Sequence, residues 1–289
     1  MSLKGIILAG GSGTRLHPMT KVMSKHLLPI YDKPMIFYPL STLMLSGIKD
    51  ILIISTPEDT NRYEKLLGNG SEWGINLQYK VQDSPEGIAQ AFIIGEDFIG
   101  LDPCMLILGD NLFFGTDLQT TLLNAISKLN GAYVFGYAVN DPERYGVVEF
   151  DDQYKVISIE EKPKVPKSKY AVSGLYLYDN NVVTIAKNIK PSERGELEIS
   201  TINNYYLENS NIDLEIFGRG MTWLDTGTAD SLMEAGEFVK VIQKRQGFVI
   251  SCPEEISWRN GWIDSDQIKN LAQNYGKSLY KEYLLSIIE

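Results

Sequence analysis

The 289-residue sequence is poor in cysteine and histidine, has no excess of positive charge and contains no long apolar run. Its two cysteines, Cys104 and Cys252, show no C-x-x-C spacing, so we expect reduced thiols and no disulfide. A formal net charge of -10 argues against a general nucleic-acid binder, whose footprint is a basic face. Without a membrane-length apolar segment or a basic leader before the first strand, we expect a cytoplasmic protein that does not attach to a membrane.

The composition is that of a globular protein with a substantial core, since 44% of the residues are hydrophobic and 22% are charged. At this length the chain forms one large domain or two small ones. An acidic chain can still bind a phosphate ligand through a few local arginine and lysine side chains. Because it would bind a polyphosphate most readily as a metal complex, we expect Mg²⁺ as the cofactor.

The N-terminal segment combines a strand with a glycine-rich loop. The apolar, β-branched run Leu3–Ala9 predicts a buried strand, and the loop after it reads Gly10-Gly11-Ser12-Gly13-Thr14-Arg15. Glycines allow backbone N–H groups to approach an anion closely, and Arg15 and Lys25 add positive charge. We therefore predict a phosphate-binding loop at the carboxyl end of the first strand, where open α/β sheets bind their ligands.

Two better-known glycine loops do not fit the spacing. The dinucleotide fingerprint G-x-G-x-x-G needs a third glycine where Leu16 stands, which argues against a dinucleotide-dependent oxidoreductase. The P-loop needs Lys-Ser or Lys-Thr after its last glycine, and no glycine in this register is followed by either pair. A glycine-rich turn alone is usually only a turn, and Arg15 with the later Lys25 favours the functional interpretation.

Two aspartates follow predicted strands in glycine-containing turns. Asp110 lies in LGDNLFFG and Asp225 lies in TWLDTGT. Mg²⁺ prefers hard oxygen ligands, so a carboxylate at a strand end that faces a phosphate loop suits a metal site. On the residues alone, Asp110 could equally be a turn residue and Asp225 a helix cap.

Several motifs resemble those of one family along nearly the whole chain. The segments LAGGSGTRL, SKHLLP and YDKPMIFYPLS, with GRGMTWLDTGT, QKRQGF and EEIS further on, are similar to the sugar-1-phosphate nucleotidylyltransferases. The resemblance implies a Mg²⁺-dependent enzyme that transfers dTMP from dTTP to glucose 1-phosphate. It further implies that Asp110 and Asp225 hold the Mg²⁺ and that the protein is a homotetramer.

The resemblance also implies which residues form the site. Arg15 and Lys25 would hold the triphosphate and Lys162 the attacking phosphate, and these three form the catalytic group. The implied nucleotide-binding residues are Gly10, Gly11, Gly13, Thr14, Arg15, Lys25, Gln82 and Gly87. The implied sugar-phosphate-binding residues are Asn111, Tyr145, Gly146, Glu161, Lys162, Val172 and Trp223. A second, inhibitory nucleotide site at a subunit interface would involve Arg219, Glu255 and Arg259.

The chemistry of Gln82 agrees with a base-reading role, because a Gln amide carries both a donor and an acceptor for the edge of thymine or uracil. A polar residue at a strand end is the alternative interpretation. The residues do not distinguish thymine from uracil, since one methyl group changes binding by only about 1–3 kcal/mol.

The sequence departs from the family pattern at five positions. His17 and His26 stand where Tyr and Gln are common, and a lone histidine is more often structural than a base. Phe114 and Thr116 replace a usual Tyr and His near the second site, which leaves inhibition there open. Ala229 also replaces a usual His.

The alternation of strands and helices predicts an α/β fold with a Rossmann-like mixed, mostly parallel sheet and helices on both faces. We predict one nucleotidyltransferase domain over 1–245, with a nucleotide-binding core over about 1–130 and a sugar-binding β insertion over about 131–228. A C-terminal helical appendage would cover 246–289. Four local predictions are helices starting at Lys33-Pro34 and at Thr56, one helix over Ile88–Asp97, and a strand pair of Leu214–Phe217 with Thr222–Leu224.

Two alternative functions stay open. The same chemistry with UTP or another sugar 1-phosphate needs no different residues. A non-catalytic sugar-nucleotide sensor should have lost a metal aspartate or a phosphate-binding base, and this chain retains Arg15, Lys25, Asp110, Lys162 and Asp225.

Overall fold

The computed structural model describes residues 2–289, which form thirteen strands and eleven α-helices. The strands are β1 (Lys4–Ala9), β2 (Pro29–Ile30), β3 (Lys33–Pro34), β4 (Asp50–Ser55), β5 (Asn76–Val81), β6 (Cys104–Leu108), β7 (Asn111–Phe114), β8 (Ala132–Ala138), β9 (Gly146–Phe150), β10 (Val156–Glu161), β11 (Tyr170–Tyr178), β12 (Ile212–Ile216) and β13 (Thr222–Asp225). The helices are α1 (Phe37–Leu45), α2 (Thr60–Leu67), α3 (Gln90–Ile94), α4 (Glu96–Ile99), α5 (Leu118–Lys128), α6 (Asn181–Asn188), α7 (Ile199–Glu208), α8 (Ala229–Gln246), α9 (Pro253–Arg259), α10 (Ser265–Gln273) and α11 (Leu279–Ser286).

A nine-stranded mixed sheet forms the centre of the molecule. Its first half is parallel, in the order β6-β1-β4-β5. In the second half β11 runs antiparallel to β6, β8 and β9, and β10 is antiparallel to β9, while β12 joins β8 in parallel. The α/β class with a mixed sheet is therefore confirmed, and its parallel strands are concentrated in the first half.

Helices cover both faces of this sheet because the buried strands carry apolar residues on both sides. On one face Ile7 and Ile53 pack in a core shared with α1, α5 and the C-terminal helices α9 to α11. On the other face Ile6, Leu52 and Ile54 pack against α3, α4, α6 and α7. A smaller core joins Tyr38 of α1 to α8. None of the helices in residues 2–289 combines the length and the hydrophobicity that a membrane span needs.

Two predicted helix starts are wrong. Lys33-Pro34 forms β3, which pairs with β2 through a turn that places Tyr31 at a φ of 61°, and α1 begins only at Phe37. After Thr56 the chain makes a turn in which the Thr56 carbonyl accepts hydrogen bonds from Asp59 and Thr60, so α2 begins at Thr60.

Two further local predictions are also wrong. The helix expected over Ile88–Asp97 is split into α3 and α4, because Gly95 leaves the helical conformation with a ψ of 1°. The strands near 214 and 222 do not pair with each other. Instead β12 joins β8, and β13 pairs antiparallel with β7, a strand that the sequence pattern did not predict.

Candidate functional site

The glycine loop, Gln82 and Asp110 lie at the same edge of the sheet. They follow β1, β5 and β6 respectively, and the carboxyl ends of parallel strands meet at one edge. The loop is tied back on itself by the Thr20 hydroxyl, which donates to the Gly13 carbonyl at 2.8 Å. Gly13 adopts a φ of 58°, a left-handed conformation that favours glycine. This edge is where open α/β sheets bind their ligands.

Lys25 and Asp110 form a partly buried ion pair at this edge. Lys25 begins a short 3-10 turn, and its Nζ donates directly to the Asp110 carboxylate. Burial is the largest single effect and would raise the pKa of Asp110, but the charges of Lys25 and His26 and the hydrogen bonds to the carboxylate together lower it to about 2. Asp110 is therefore ionised near neutral pH and can bind a cation.

A small antiparallel pair of strands brings Asp225 beside Asp110. The pairing of β7 with β13 sets Asp225 opposite Asn111. The next residue, Thr226, donates both its hydroxyl at 2.8 Å and its backbone N–H at 3.1 Å to the Asp110 carbonyl. Two aspartates that are far apart in the sequence thus occupy one site.

The surroundings of Asp225 disfavour its ionised form. Burial raises the pKa of Asp225, and the negative charge of Asp110 raises it further, against the lowering effects of Lys25 and Arg15. Within residues 2–289 no cluster of three or more His, Cys, Asp or Glu side chains could hold a metal ion by itself. A divalent cation at this pair would need further oxygen ligands from a bound phosphate, which is the coordination typical of Mg²⁺. The residues present therefore fit a magnesium ion delivered with a polyphosphate.

A cavity of about 230 Å³ opens beside the aspartate pair. All seven predicted sugar-phosphate positions, with Arg15 and the two aspartates, line it: Arg15, Asp110, Asn111, Tyr145, Gly146, Glu161, Lys162, Val172, Trp223 and Asp225. Asn111 is held rigidly, since its amide donates to Asp110 at 2.9 Å and its carbonyl accepts from the Trp223 indole at 2.5 Å. The structure therefore brings residues from five strands to one concave surface.

Glu161 and Lys162 stand together at the end of β10 and supply opposite charges to the cavity wall. The pKa of Glu161 lies above its ordinary value because the group is buried, although the positive charge of the nearby Lys162 opposes this shift. Lys162 Nζ lies 3.7 Å from the Glu161 carboxylate and the Lys162 side chain is half exposed, so the ammonium group can reach a ligand. Such a surface can accept hydrogen bonds from hydroxyl groups and bind an anion next to them.

The remaining predicted nucleotide residues lie outside this cavity, along the glycine loop and the loop after β5. Gln82 is 5% exposed, and a Cβ added to Gly10 would lie 2.2 Å from its Oε1, so these two residues are in contact. A Cβ on Gly87 would lie 2.4 Å from the Leu197 carbonyl, and its φ is 113°. Gly87 therefore requires glycine, because both its backbone conformation and the Leu197 backbone exclude a side chain.

A second cavity of about 270 Å³ lies away from the first, between β7 and the C-terminal segment. Phe114, Thr116, Glu255 and Arg259 line it, whereas Arg219 does not. Arg259 Nε donates to the Glu255 carboxylate at 2.7 Å. Phe114 stacks on Phe248, with ring centroids 6.0 Å apart, so this aromatic pair forms part of the wall.

Two arginines near the first cavity were missed by sequence reasoning. Arg144 lines the cavity, donates to Asp141 at 2.6 Å and lies 4.0 Å from Asp225. Arg194 Nη2 lies 3.8 Å from the Glu161 carboxylate. Arg144 directly precedes Tyr145, so its charge was a usable signal, whereas the loop that carries Arg194 offers no local pattern.

The comparisons with known proteins agree with this geometry. The family model described as nucleotidyl transferase matches residues 4–241. A glucose-1-phosphate thymidylyltransferase of Neisseria gonorrhoeae is 58% identical over 99% of both chains, and one of Mycobacterium tuberculosis is 51% identical over 99% of both. A solved Bacillus anthracis chain described as a glucose-1-phosphate thymidylyltransferase, in complex with sucrose, has 46% identity and a TM-score of 0.77 over 82% of this chain and 95% of its own.

A more distant solved structure, a UDP-glucose pyrophosphorylase in complex with UDP-glucose, shares 25% identity and a TM-score of 0.72 over 83% of this chain and 99% of its own. The family match covers most of the chain, and the identities extend from end to end. This chain therefore belongs to the nucleotidyl transferase family, among the glucose-1-phosphate thymidylyltransferases.

Proposed function

We propose that this chain transfers dTMP from dTTP to glucose 1-phosphate and releases dTDP-glucose and pyrophosphate. The observation that carries the proposal is one cavity lined by Arg15, Asp110, Glu161, Lys162 and Asp225 at the ligand-binding edge of the sheet. Relatives that are 51–58% identical over nearly the full chain bear the name glucose-1-phosphate thymidylyltransferase, which supports the choice of substrates.

The reaction is an in-line displacement at the α-phosphorus of dTTP. A phosphate oxygen of the sugar phosphate forms the new P–O bond, the bond to the β-phosphate breaks, and pyrophosphate leaves with the electron pair. The nucleophile is already anionic, so no general base is needed. The task of the protein is to position two anions close together and to neutralise the charge that develops.

Cationic side chains in and beside the cavity suit that task. Arg15 lies against the Gly227 backbone beside Asp225 and would hold the triphosphate together with Lys25. Lys162, which lines the same cavity, would hold the attacking phosphate, and Glu161 would accept hydrogen bonds from sugar hydroxyls. Asp110 and Asp225 would hold Mg²⁺, which would offset the repulsion between the two phosphate groups.

The decisive experiment is pyrophosphate release with a panel of nucleotides and sugar phosphates. We expect the highest kcat/KM for dTTP with glucose 1-phosphate, and loss of turnover in EDTA that MgCl₂ restores. Preference for UTP would favour the alternative suggested by the likeness to a UDP-glucose pyrophosphorylase. Absence of turnover with every pair, while nucleotide binding persists, would instead indicate a sugar-nucleotide sensor.

We also propose a homotetramer, a cytoplasmic location and a second nucleotide site at Arg219, Glu255 and Arg259. The second cavity supports the last proposal only for Glu255 and Arg259, which line it. Light scattering after size exclusion should give the mass of four chains. Nucleotide titration of Arg259→Ala should separate binding at this cavity from binding at the active site.

A further inference from the structure

Three side chains after β5 form a hydrogen-bonded series that ends at the nucleotide edge. The Gln90 Nε2 donates to Glu86 Oε2 at 3.0 Å, and the Glu86 backbone N–H donates to Gln90 Oε1 at 3.2 Å. The same Gln90 Oε1 accepts from Gln82 Nε2 at 2.6 Å. Gln90 thus lies between an exposed glutamate and the buried Gln82.

The chemistry of Glu86 determines which way both amides point. An ionised carboxylate only accepts hydrogen bonds and a backbone N–H only donates. Gln90 can satisfy both groups in one orientation, with its NH₂ on the carboxylate and its carbonyl on the N–H. Its carbonyl then faces Gln82, and a flipped Gln82 would set two carbonyl oxygens against each other.

The backbone that carries Glu86 is held in place although the side chain is exposed. The Glu86 carbonyl accepts from the Leu197 N–H at 2.6 Å, and the Ala89 N–H donates to the Leu197 carbonyl at 3.1 Å. Gly87 packs against the same Leu197 so closely that no Cβ fits. The Glu86 backbone, where the hydrogen-bonded series begins, is therefore held in one position.

The other end of the Gln82 amide faces the glycine loop. Gln82 is almost fully buried, and its Oε1 lies over Gly10, where any side chain would collide with it. The buried amide therefore presents its carbonyl oxygen, with one remaining N–H, to the edge where the nucleotide is proposed to bind. A free Gln amide, by contrast, could rotate to present either group.

We propose that Gln90, held by Glu86, is a positioning residue that locks the Gln82 amide and thereby selects a pyrimidine with an N–H at N3 over cytosine. Thymine and uracil donate at N3 and accept at O4, whereas cytosine accepts at N3 and donates from its amino group. A locked carbonyl suits only the first pattern. The inference rests on the proposed function, because it takes Gln82 as the base-reading residue.

The test compares kcat/KM for dTTP, dUTP and dCTP in the wild type and in Gln90→Met, which keeps the length but removes both polar groups. The ratio of dTTP to dCTP should fall by about tenfold or more, mainly through KM for the nucleotide. The ratio of dTTP to dUTP and the KM for glucose 1-phosphate should not change. A uniform loss for all three nucleotides would overturn the proposal.

Two further variants separate positioning from a structural role. Glu86→Gln replaces the acceptor by an amide that can flip, so it should also lower the ratio, whereas Asp83→Asn in the same loop is the charge-matched control. Combining Glu86→Gln with Gln90→Glu restores an acceptor toward Gln82 and should recover the wild-type ratio. If a folded double variant does not recover the ratio, the proposal that Glu86 and Gln90 fix the orientation of the Gln82 amide is wrong.

Different results would contradict the proposed function and the proposed positioning of Gln82. If the wild type transfers no nucleotide, the proposed function falls. If the wild type prefers dTTP but the calorimetric dissociation constants for dTTP and dCTP change by the same factor in both single variants, only the proposed positioning of Gln82 is wrong.

Discussion

Lys162 has a backbone conformation that is unusual for its side chain. It follows β10 with a φ of 45°, in the left-handed region, and its N–H donates to the Tyr145 carbonyl at 3.0 Å. Such a conformation costs on the order of 1–3 kcal/mol and is typical of functional sites. The turn directs the lysine side chain toward the cavity that Glu161 also lines.

Lys162→Ala should lower kcat by on the order of 10²–10³ because the attacking phosphate loses its cation, while dTTP binding stays nearly unchanged. Steady-state kinetics and calorimetric titration with dTTP measure the two effects. Lys164→Ala, two residues further on at an exposed position, is the matched control. Normal turnover of Lys162→Ala would refute the assigned role.

His26 is a structural residue in this fold. It is 1% exposed, its Nδ1 lies 3.0 Å from the Ser24 hydroxyl, and its ring packs against Gly109, where no Cβ would fit. Burial, followed by the positive charge of Lys25, lowers the pKa of His26 to about 3. The neutral ring is therefore the form that the folded protein contains.

The lowered pKa of His26 predicts a pH dependence of unfolding. Between pH 6.5 and about 3 the unfolded chain binds this proton and the native chain does not, so stability falls as the pH falls, by up to about 1.4 kcal/mol per pH unit. His26→Gln should remove this contribution in urea denaturation followed across that range. His17→Gln, at an exposed position, should leave the dependence as in the wild type; equal slopes for His26→Gln and the wild type would contradict the assignment.

At the scale of elements, the segment from β13 to α8 matters most for the site. Asp225 ends β13, and α8 begins at Ala229 with Thr228 as its N-cap. The Thr228 hydroxyl accepts from the Ser231 N–H at 3.2 Å, and the Ser231 hydroxyl accepts from the Thr228 N–H at 3.0 Å. This capping box fixes where the helix starts and so restrains the turn that carries Asp225.

Thr228→Ala should destabilise the protein by about 1 kcal/mol, the usual effect of losing an N-cap side chain. The measurement is the urea midpoint at an unchanged m-value. Thr184→Ala, at an exposed position within α6, supplies the control and should be nearly neutral. A loss no larger than that of Thr184→Ala would show that the cap does not stabilise α8.

At the scale of the whole molecule, the C-terminal helices are joined to the rest through a buried carboxyl group. Glu254 of α9 is 0% exposed and accepts from the Tyr275 hydroxyl at 2.5 Å and the Tyr280 hydroxyl at 2.7 Å. It also accepts from the indole of Trp73, in the first third of the chain, at 3.2 Å. Packing of α9 against α1 within the shared core continues this connection.

Glu254→Ala should destabilise the chain by about 3 kcal/mol or more, because the buried Trp73 indole and two partly buried tyrosine hydroxyls lose their acceptor. We expect one cooperative transition in which tryptophan fluorescence and far-UV circular dichroism coincide, since the helices share a core with the sheet. Glu282→Ala, at an exposed position on α11, is the control. Separate early melting of the segment 246–289 would instead indicate an independent appendage.

The sequence alone determined the elements and site residues that are encoded locally. A β-branched run of six or seven residues marks β1, and the glycines after it mark a loop, because strand propensity and glycine conformations depend on neighbouring residues. The start of α10 is encoded locally too, because the Asp264 side chain accepts a hydrogen bond from the Gln267 N–H as its N-cap. Local signals failed at Lys33-Pro34, where a proline expected to begin a helix lies in a short strand instead.

Only the tertiary structure decided how those parts meet. The pairing of β7 with β13 sets Asp225 beside Asp110. The sequence pattern of each strand does not show which strand it pairs with, because the register depends on contacts between residues far apart in the sequence. The same holds for Gln82, whose amide orientation follows from Gln90 and Glu86, and for Glu254, whose indole partner comes from another part of the chain. The physical reason is that such contacts depend on which buried groups can satisfy one another, and that becomes defined only when the chain is folded.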